Sequence, residues 1–305
     1  MKKYVVTGAA GFIGSVFVHE MNNAGIDSIL IVDRLGNSDK WKNLKGLKFA
    51  DYIEKNAFRN IIKDKTRSFS EIEAIIHFGA CSSTTETDAS YLIDNNYEFS
   101  KEIADFALSR DIKFIYASSS ATYGDGSNGW DDNQNELNRL RPLNMYGYSK
   151  HLFDLWAHRN GILNKITGLK FTNVYGPNEW HKGEMRSVIC KAFSQIRQTG
   201  KMKLFKSHRN DYADGEQKRD FLYVKDAVRM TLHLAATPQA NGLFNLGSGR
   251  AHTWVELARA IFAAMGREPV IDFVDMPETL RAKYQYYTCA DIGRLRESGY
   301  GDPLY

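Results

Sequence analysis

The sequence predicts an α/β protein, a doubly wound parallel sheet coupled to a smaller second α/β portion. Three observations predict it. Val5-Val6-Thr7 reads as a short buried strand that runs directly into glycines at 8, 11 and 14, with a helix beginning near Phe12. Further short apolar runs at 28–32, 74–77, 113–120 and 166–171 are separated by helical stretches, the pattern of βαβ units. A chain of 305 residues with 43% hydrophobic content is long enough to bury a full core in one large or two coupled domains.

The glycine loop organises the rest. Its glycines permit a tight turn, close approach to a pyrophosphate and close helix-on-strand packing, and the helix N-terminus offers unpaired N–H groups to the phosphate charge. Gly8, Gly11, Phe12, Ile13 and Gly14 are therefore candidate dinucleotide contacts, and the sheet is expected to be of the Rossmann type. Ser28–Val32 is the second strand, closed by Asp33, which lies 19 positions beyond Gly14, near the ~20 at which an acid meets the adenosine ribose. A strand-end turn residue is the alternative reading of Asp33. A bare acid favours NAD. Arg34, directly beside it, offers a 2′-phosphate a planar two-pronged partner, with Lys40 a little further on. The balance reads towards NADP, with NAD open.

Ala74–His77 is a third buried strand, running into Phe78-Gly79-Ala80-Cys81-Ser82, where small residues allow a cofactor to approach the sheet. His77 is read as a hydrogen-bonded core histidine and Cys81 as a small buried packer. Asn95 and Asn96 are expected to open the helical stretch that ends at Arg110, holding a loop or capping the helix. Lys113–Ser120 is a strand ending in hydroxyls. Tyr146 and Lys150 then share one face of a helix, one turn apart. Free tyrosine titrates near pH 10, so service as a base near neutrality requires about 4 kcal/mol of phenolate stabilisation. A positive charge ~4 Å away at an effective dielectric of about 20 supplies about that much. Lys150, helped by an oxidised nicotinamide, is thus expected to make Tyr146 a usable proton acceptor, with a strand-end serine aligning the substrate hydroxyl. Surface placement of both residues is the reading that the pair alone would favour; the glycine loop and serine strand overturn it.

Beyond Phe171 lies Asn173, at a strand's carboxyl end, and past Gly176-Pro177 the chain becomes loop-rich and basic, as expected where a substrate portion begins. Arg219 is a candidate diphosphate clamp, with a salt bridge to Asp220 as the alternative. Thr253–Met265 is an amphipathic helix and Val270–Val274 a small strand. The net charge of +4, from 40 basic and 36 acidic residues without a long basic run, argues against nucleic acid as a partner. Three cysteines without C-x-x-C spacing suggest neither a disulfide framework nor a metal site and fit a reducing cytoplasm. No apolar stretch approaches the roughly 20 residues needed to span a bilayer, so no membrane partner is expected.

The G-x-x-G-x-x-G loop, the serine strand and Tyr-x-x-x-Lys together resemble the extended short-chain dehydrogenase/reductases, a family acting largely on nucleotide sugars. Gly79–Glu86, Asp94–Tyr97, Pro142–Lys150, Asn173–Pro177, His181-Lys182-Gly183, Lys218–Phe221 and Phe244–Gly247 extend the resemblance along nearly the whole chain. The resemblance implies Ser119, Tyr146 and Lys150 as catalytic residues, with Lys182 as a second acid/base. It places Asp33, Arg34, Lys40, Lys55, Phe78 to Ser82, Asn95, Val174 and Lys182 around NADP. It places Ser82, Ser119, Asn173, Glu184, Lys191, Phe205, Arg219 and Tyr284 against the sugar nucleotide. It further implies a homo-oligomer, a cofactor domain of residues 1–172 plus 220–247, and a substrate domain of 173–219 plus 248–305. The implied activity is epimerisation of an ADP-linked heptose by transient oxidation at C6. For Lys182 the alternative is a solvated lysine or a simple phosphate contact. Two features depart from the pattern: Arg34 stands where some members have asparagine, and Ser207–Lys218 is a longer, polar loop. A dehydratase would need an acidic pair after Ser119, where Ser120 and Ala121 stand; a 4-epimerase would share the same serine, tyrosine and lysine. A non-catalytic dinucleotide sensor would have no need of Tyr146 with Lys150.

Overall fold

A computed structural model describes residues 3–64, 71–281 and 284–305. Its centre is a seven-stranded, wholly parallel sheet. In chain order the first half contributes β1 (Lys3–Thr7), α1 (Phe12–Asn23), β2 (Ile29–Asp33), β3 (Asp51–Glu54), α2 (Lys55–Asp64) and β4 (Ile72–His77). There follow α3 (Ala89–Leu92), α4 (Phe99–Leu108), β5 (Lys113–Ser119), α5 (Met145–Arg159) and β6 (Thr167–Phe171). Later come β7 (Asn173–Tyr175), α6 (Val188–Thr199), β8 (Met202–Phe205), β9 (Lys218–Arg219), β10 (Phe221–Tyr223), α7 (Val224–Ala236) and β11 (Gly242–Leu246). The chain closes with β12 (His252–Thr253), α8 (Trp254–Ala264), β13 (Ile271–Val274), α9 (Glu278–Arg281) and α10 (Gly293–Glu297).

The strand order is β11-β6-β5-β4-β1-β2-β3, so the chain reverses direction across the sheet between β1 and β4. Ligands of open α/β sheets bind at such a reversal, outside the carboxyl ends of the strands. Val5, Val6, Ile75, Ile76, Phe114 and Ile115 are fully buried, as strands covered on both faces require. One face is filled by α1 and α7 residues such as Phe17, Val228 and Leu234, the other by Phe58, Phe99, Ile103 and Phe153. A separate cluster, with Ile196, Met202, Leu204 and Phe262, joins α6 and α8 to the parallel pair β8 and β13.

The expected strands are present, with ends displaced by one or two residues. The expected helix at 253–265 starts at Trp254 because Thr253 is its cap: Thr253 Oγ1 accepts from Glu256 N while the Glu256 carboxylate accepts from Thr253 N. The expectation for Asn95 and Asn96 requires correction. The helix begins at Ala89, capped by Asp88 accepting from Tyr91 N, and a π-helical turn at Ile93–Glu98 carries both asparagines in its interior. Asp88 reaches the free N–H group, whereas both asparagine side chains turn inward to other segments.

Candidate active site

The turn after β1 is built as a cradle. Gly8 takes φ +69°, and a Cβ there would stand 2.7 Å from Gly79 N; a Cβ at Gly14 would overlap the Gly8 carbonyl oxygen. The backbone at 8–14 and at 78–79 can approach this closely only because Gly8, Gly14 and Gly79 lack side chains. A cavity of about 320 Å³ opens beside it, lined among others by Gly8, Asp33, Arg34, Lys40, Lys55 and Asn95. These residues suit a dinucleotide: glycines at a helix N-terminus, an acid at the end of β2, and three cations along one wall.

Asp33 has a second duty beyond either sequence reading. Its Oδ2 accepts from Ala10 N at 2.8 Å, and its Oδ1 accepts from Arg34 N at 2.7 Å and from Lys40 Nζ at 2.5 Å. The carboxylate therefore ties the glycine loop to β2 and is already partnered by a cation, while the Arg34 side chain is exposed. Lys55 donates to Asn95 Oδ1 at 2.8 Å, and burial pulls its ammonium below the ordinary lysine range. Asn96 holds the loop after β4: its Oδ1 accepts from Cys81 N at 2.8 Å, while its Nδ2 donates to Cys81 O at 2.9 Å and Ser149 Oγ at 3.0 Å. Of the two roles open to this asparagine pair, loop-holding is the one Asn96 performs. Cys81 is half-buried and not fully enclosed, because its loop rides over the sheet edge with Ser82 exposed beyond it. His77 is a core histidine as read, in contact with Thr7 Oγ1 at 2.6 Å and Ser100 Oγ at 3.0 Å, and burial drives its pKa down to about 3.

At the carboxyl end of β5, Ser119 faces the Tyr146 phenol, and its hydroxyl opposes the rise that burial gives the phenol's pKa. Its Oγ also accepts from Ala121 N at 3.1 Å, the start of a tight turn at Ser120–Tyr123. Asn144 caps α5 by accepting from Gly147 N at 2.8 Å, so Tyr146 enters on the first turn. Gly147 is required there, since a Cβ would stand 2.7 Å from Ala121 O. Lys150, 4% exposed, donates to Ala117 O at 2.8 Å, and burial lowers its pKa to about 8. Without a nicotinamide beside it, Tyr146 is not lowered by Lys150. Burial raises the phenol, the Ser119 hydrogen bond is what opposes it, and the Lys150 ammonium is spent on a carbonyl.

Lys182 lies in a short helical turn at Trp180–Met185, its Nζ 5.6 Å from the centroid of the Phe12 ring, and burial lowers its pKa. That turn is joined to the glycine loop by Asn43, whose Nδ2 donates to Ala10 O and to Asn178 O, both at 3.0 Å, and lies 3.2 Å from His181 Nδ1. Asn43 carried no sequence signal, because its partners lie 33 and 135 positions away.

Arg219 is 6% exposed, and its guanidinium carbon lies 4.9 Å from the Tyr284 ring centroid and 5.5 Å from that of Trp254. The alternative of a bridge to Asp220 is not realised. Asp220 instead accepts from Ser248 N and Oγ, Gly249 N and Ala290 N, leaving Arg219 without an acidic partner among the described residues. Phe205 meets Tyr284 edge-on at 6.4 Å. Asn173 donates from Nδ2 to Asp220 O at 3.1 Å, with Val174 half-buried beside it in β7. Lys191 donates to Glu184 O at 3.0 Å, Glu184 itself being exposed. The long polar loop folds back on this cluster, with His208 N donating to Tyr286 Oη and the Arg209 guanidinium 5.1 Å from the Tyr286 ring centroid.

The profile of the NAD dependent epimerase/dehydratase family matches residues 4–247. The chain is 53% identical over 296 residues to a Nitratidesulfovibrio vulgaris protein named ADP-L-glycero-D-manno-heptose-6-epimerase, covering 97% of this chain and 91% of that one. A Fusobacterium nucleatum protein of the same name is 45% identical, covering 99% and 93%. Among solved structures, the Helicobacter pylori ADP-L-glycero-D-manno-heptose-6-epimerase superposes with a TM-score of 0.80 at 24% identity, covering 100% of this chain and 92% of that chain. From the profile match and the identity of these relatives, the chain belongs to the NAD dependent epimerase/dehydratase family.

Proposed function

We propose that the chain interconverts ADP-D-glycero-D-manno-heptose and ADP-L-glycero-D-manno-heptose by transient oxidation at C6 with bound NADP. The observation that carries this reading is the 53% identity, across nearly the whole of both chains, to a protein bearing that epimerase's name. Residues 1–172 with 220–247 are taken as the cofactor side and 173–219 with 248–305 as the sugar side. Gly8, Gly11 and Gly14 cradle the pyrophosphate. The partnering of Asp33 by Lys40 supports NADP over NAD, since it blunts the charge that would repel a 2′-phosphate and leaves Arg34 free to meet it. When bound, the nicotinamide supplies a reversible hydride acceptor.

Tyr146 takes the proton of the C6 hydroxyl through the line it already shares with Ser119. Burial makes the phenolate costly, so the Lys150 ammonium must swing from the Ala117 carbonyl or act from where it stands to offset it. After the exocyclic carbon turns over, the carbonyl oxygen lies elsewhere, and Lys182 returns a proton there. Its lowered pKa suits that role. Arg219, caged by aromatic rings, binds diphosphate oxygens, with Phe205 and Tyr284 beside it. By the same resemblance the product feeds lipopolysaccharide core assembly in the cytoplasm, by a homo-oligomer.

The purified protein, incubated with ADP-D-glycero-D-manno-heptose, is expected to give a mixture of C6 epimers by NMR, and mass spectrometry of released cofactor to show NADP. Unchanged heptose in the presence of turnover of a UDP-hexose would replace this reading with a 4-epimerase.

A further inference from the structure

Beneath the site lies a charged group that the proposed reaction does not use. Asp154, fully buried on α5 one turn past Lys150, accepts three hydrogen bonds from two strands, β5 and β6. Its Oδ1 accepts from Tyr116 Oη at 2.8 Å, and its Oδ2 accepts from Ser118 Oγ at 2.8 Å and from Lys170 Nζ at 2.9 Å. Lys170 is a lysine in the middle of the wholly buried strand β6, its side chain 1% exposed. It donates also to Thr122 Oγ1 at 2.6 Å and sits 4.8 Å from the Tyr123 ring centroid. A buried ion pair of this kind seldom stabilises a fold better than apolar packing of the same volume, so packing alone is a weak account of it.

The placement suggests another account. Ser118 precedes Ser119 on β5, Asp154 follows Tyr146 and Lys150 on α5, and Thr122 lies in the turn that Ser119 starts. One carboxylate thus joins β5, which carries Ser119, to α5, which carries Tyr146 and Lys150. We propose that Asp154, held by Lys170, is a positioning residue that keeps the Lys150 side chain charged and sets Ser119 and α5 in register. This deepens the epimerase reading and rests on it.

The groups facing Lys150 are few. Asp154 and Tyr146 lie on its own helix, neutral His77 comes from β4, Cys81 from the following loop, and the Ala117 carbonyl from β5. Burial disfavours the ammonium, and Asp154 is the foremost group opposing that, ahead of Cys81. Asp154 itself faces Lys170, Tyr116, Tyr123 and the ring of His151. Removing its charge lets the Lys150 ammonium deprotonate at lower pH, so any rate that needs the ammonium fails earlier as pH rises.

The test reads kcat and KM against pH for the cofactor-loaded wild type, for Asp154→Asn, and for Asp154→Asn combined with Lys170→Met, which leaves no unpaired buried cation and is expected to be the more stable of the two variants. Both variants are expected to move the alkaline limb of kcat down by about one pH unit, a tenfold loss on that limb, with KM within about twofold of wild type. A stable, cofactor-loaded double variant with the wild-type limb would show the pair to be structural only and overturn the proposal. Turnover by the wild type tests the reaction separately, so a failure of the proposal is distinct from a failure of the epimerase reading.

Discussion

Lys182 is the residue on which the two-proton scheme turns. Its side chain is held against Phe12, close to the glycine loop, and burial already weakens its hold on a proton. Lys182→Met keeps the apolar stem and removes the amine, so it is expected to lower kcat by about 10²-fold while leaving cofactor content unchanged. Wild-type kcat in that variant would reduce Lys182 to a phosphate contact. A complementary expectation holds for Tyr146→Phe, with kcat down by about 10²–10⁴-fold and the cofactor retained. At this scale the sequence was legible where chemistry follows short spacing. Tyr146 and Lys150 share a helix face, and Ser119 ends a strand. It was illegible where a role depends on distant partners. The bracing of the glycine loop by Asp33, and the preference of Lys150 for the Ala117 carbonyl over the phenol, are tertiary facts. The Arg219 cage also joins residues 35 and 65 positions apart in the chain.

The π-helical turn between α3 and α4 is the element whose irregularity has a visible cause. Turns of this kind often sit at functional sites, because an extra residue redirects side chains that a regular helix would aim elsewhere. Here it lets Asn95 meet Lys55 and Asn96 bind both the Cys81 backbone and Ser149 of α5. Asn96→Ala leaves a half-buried N–H and a half-buried carbonyl of Cys81 without their side-chain partner, a loss of about 1 kcal/mol for each. The expected outcome is a lower thermal midpoint together with weaker binding of the nicotinamide cofactor, read by calorimetry and by cofactor fluorescence titration. A lower midpoint with unchanged affinity would confine Asn96 to the fold. The error in placing the helix start came from local statistics, since asparagine favours caps and nothing in one sequence shows an inward-facing partner.

For the whole molecule, the buried histidines make acid the condition to watch. His77 has its pKa lowered to about 3 and His151 to about 4, against 6.5 when unfolded. The unfolded chain binds protons that the folded one refuses, so their contribution is complete above pH 6.5 and is lost as pH falls towards those values. For His77 alone the loss by pH 4 is about 3 kcal/mol. Urea midpoints measured from pH 7 to pH 4 should fall, and fall less steeply in His77→Gln; identical slopes would contradict this. The sheet and its order of construction were readable from periodicity and glycine placement because each βα unit is local. The strand order, the pairing of β8 with β13 and the reach of the 207–218 loop to Tyr286 were not, since each joins segments remote in the chain. Asn43 shows what such remoteness entails. One amide grips the glycine loop at Ala10 and the backbone at Asn178, just ahead of the turn that carries Lys182, so neither end can shift without tugging the other. Any substitution at that position loosens the glycine loop and the Lys182 turn together, never one alone.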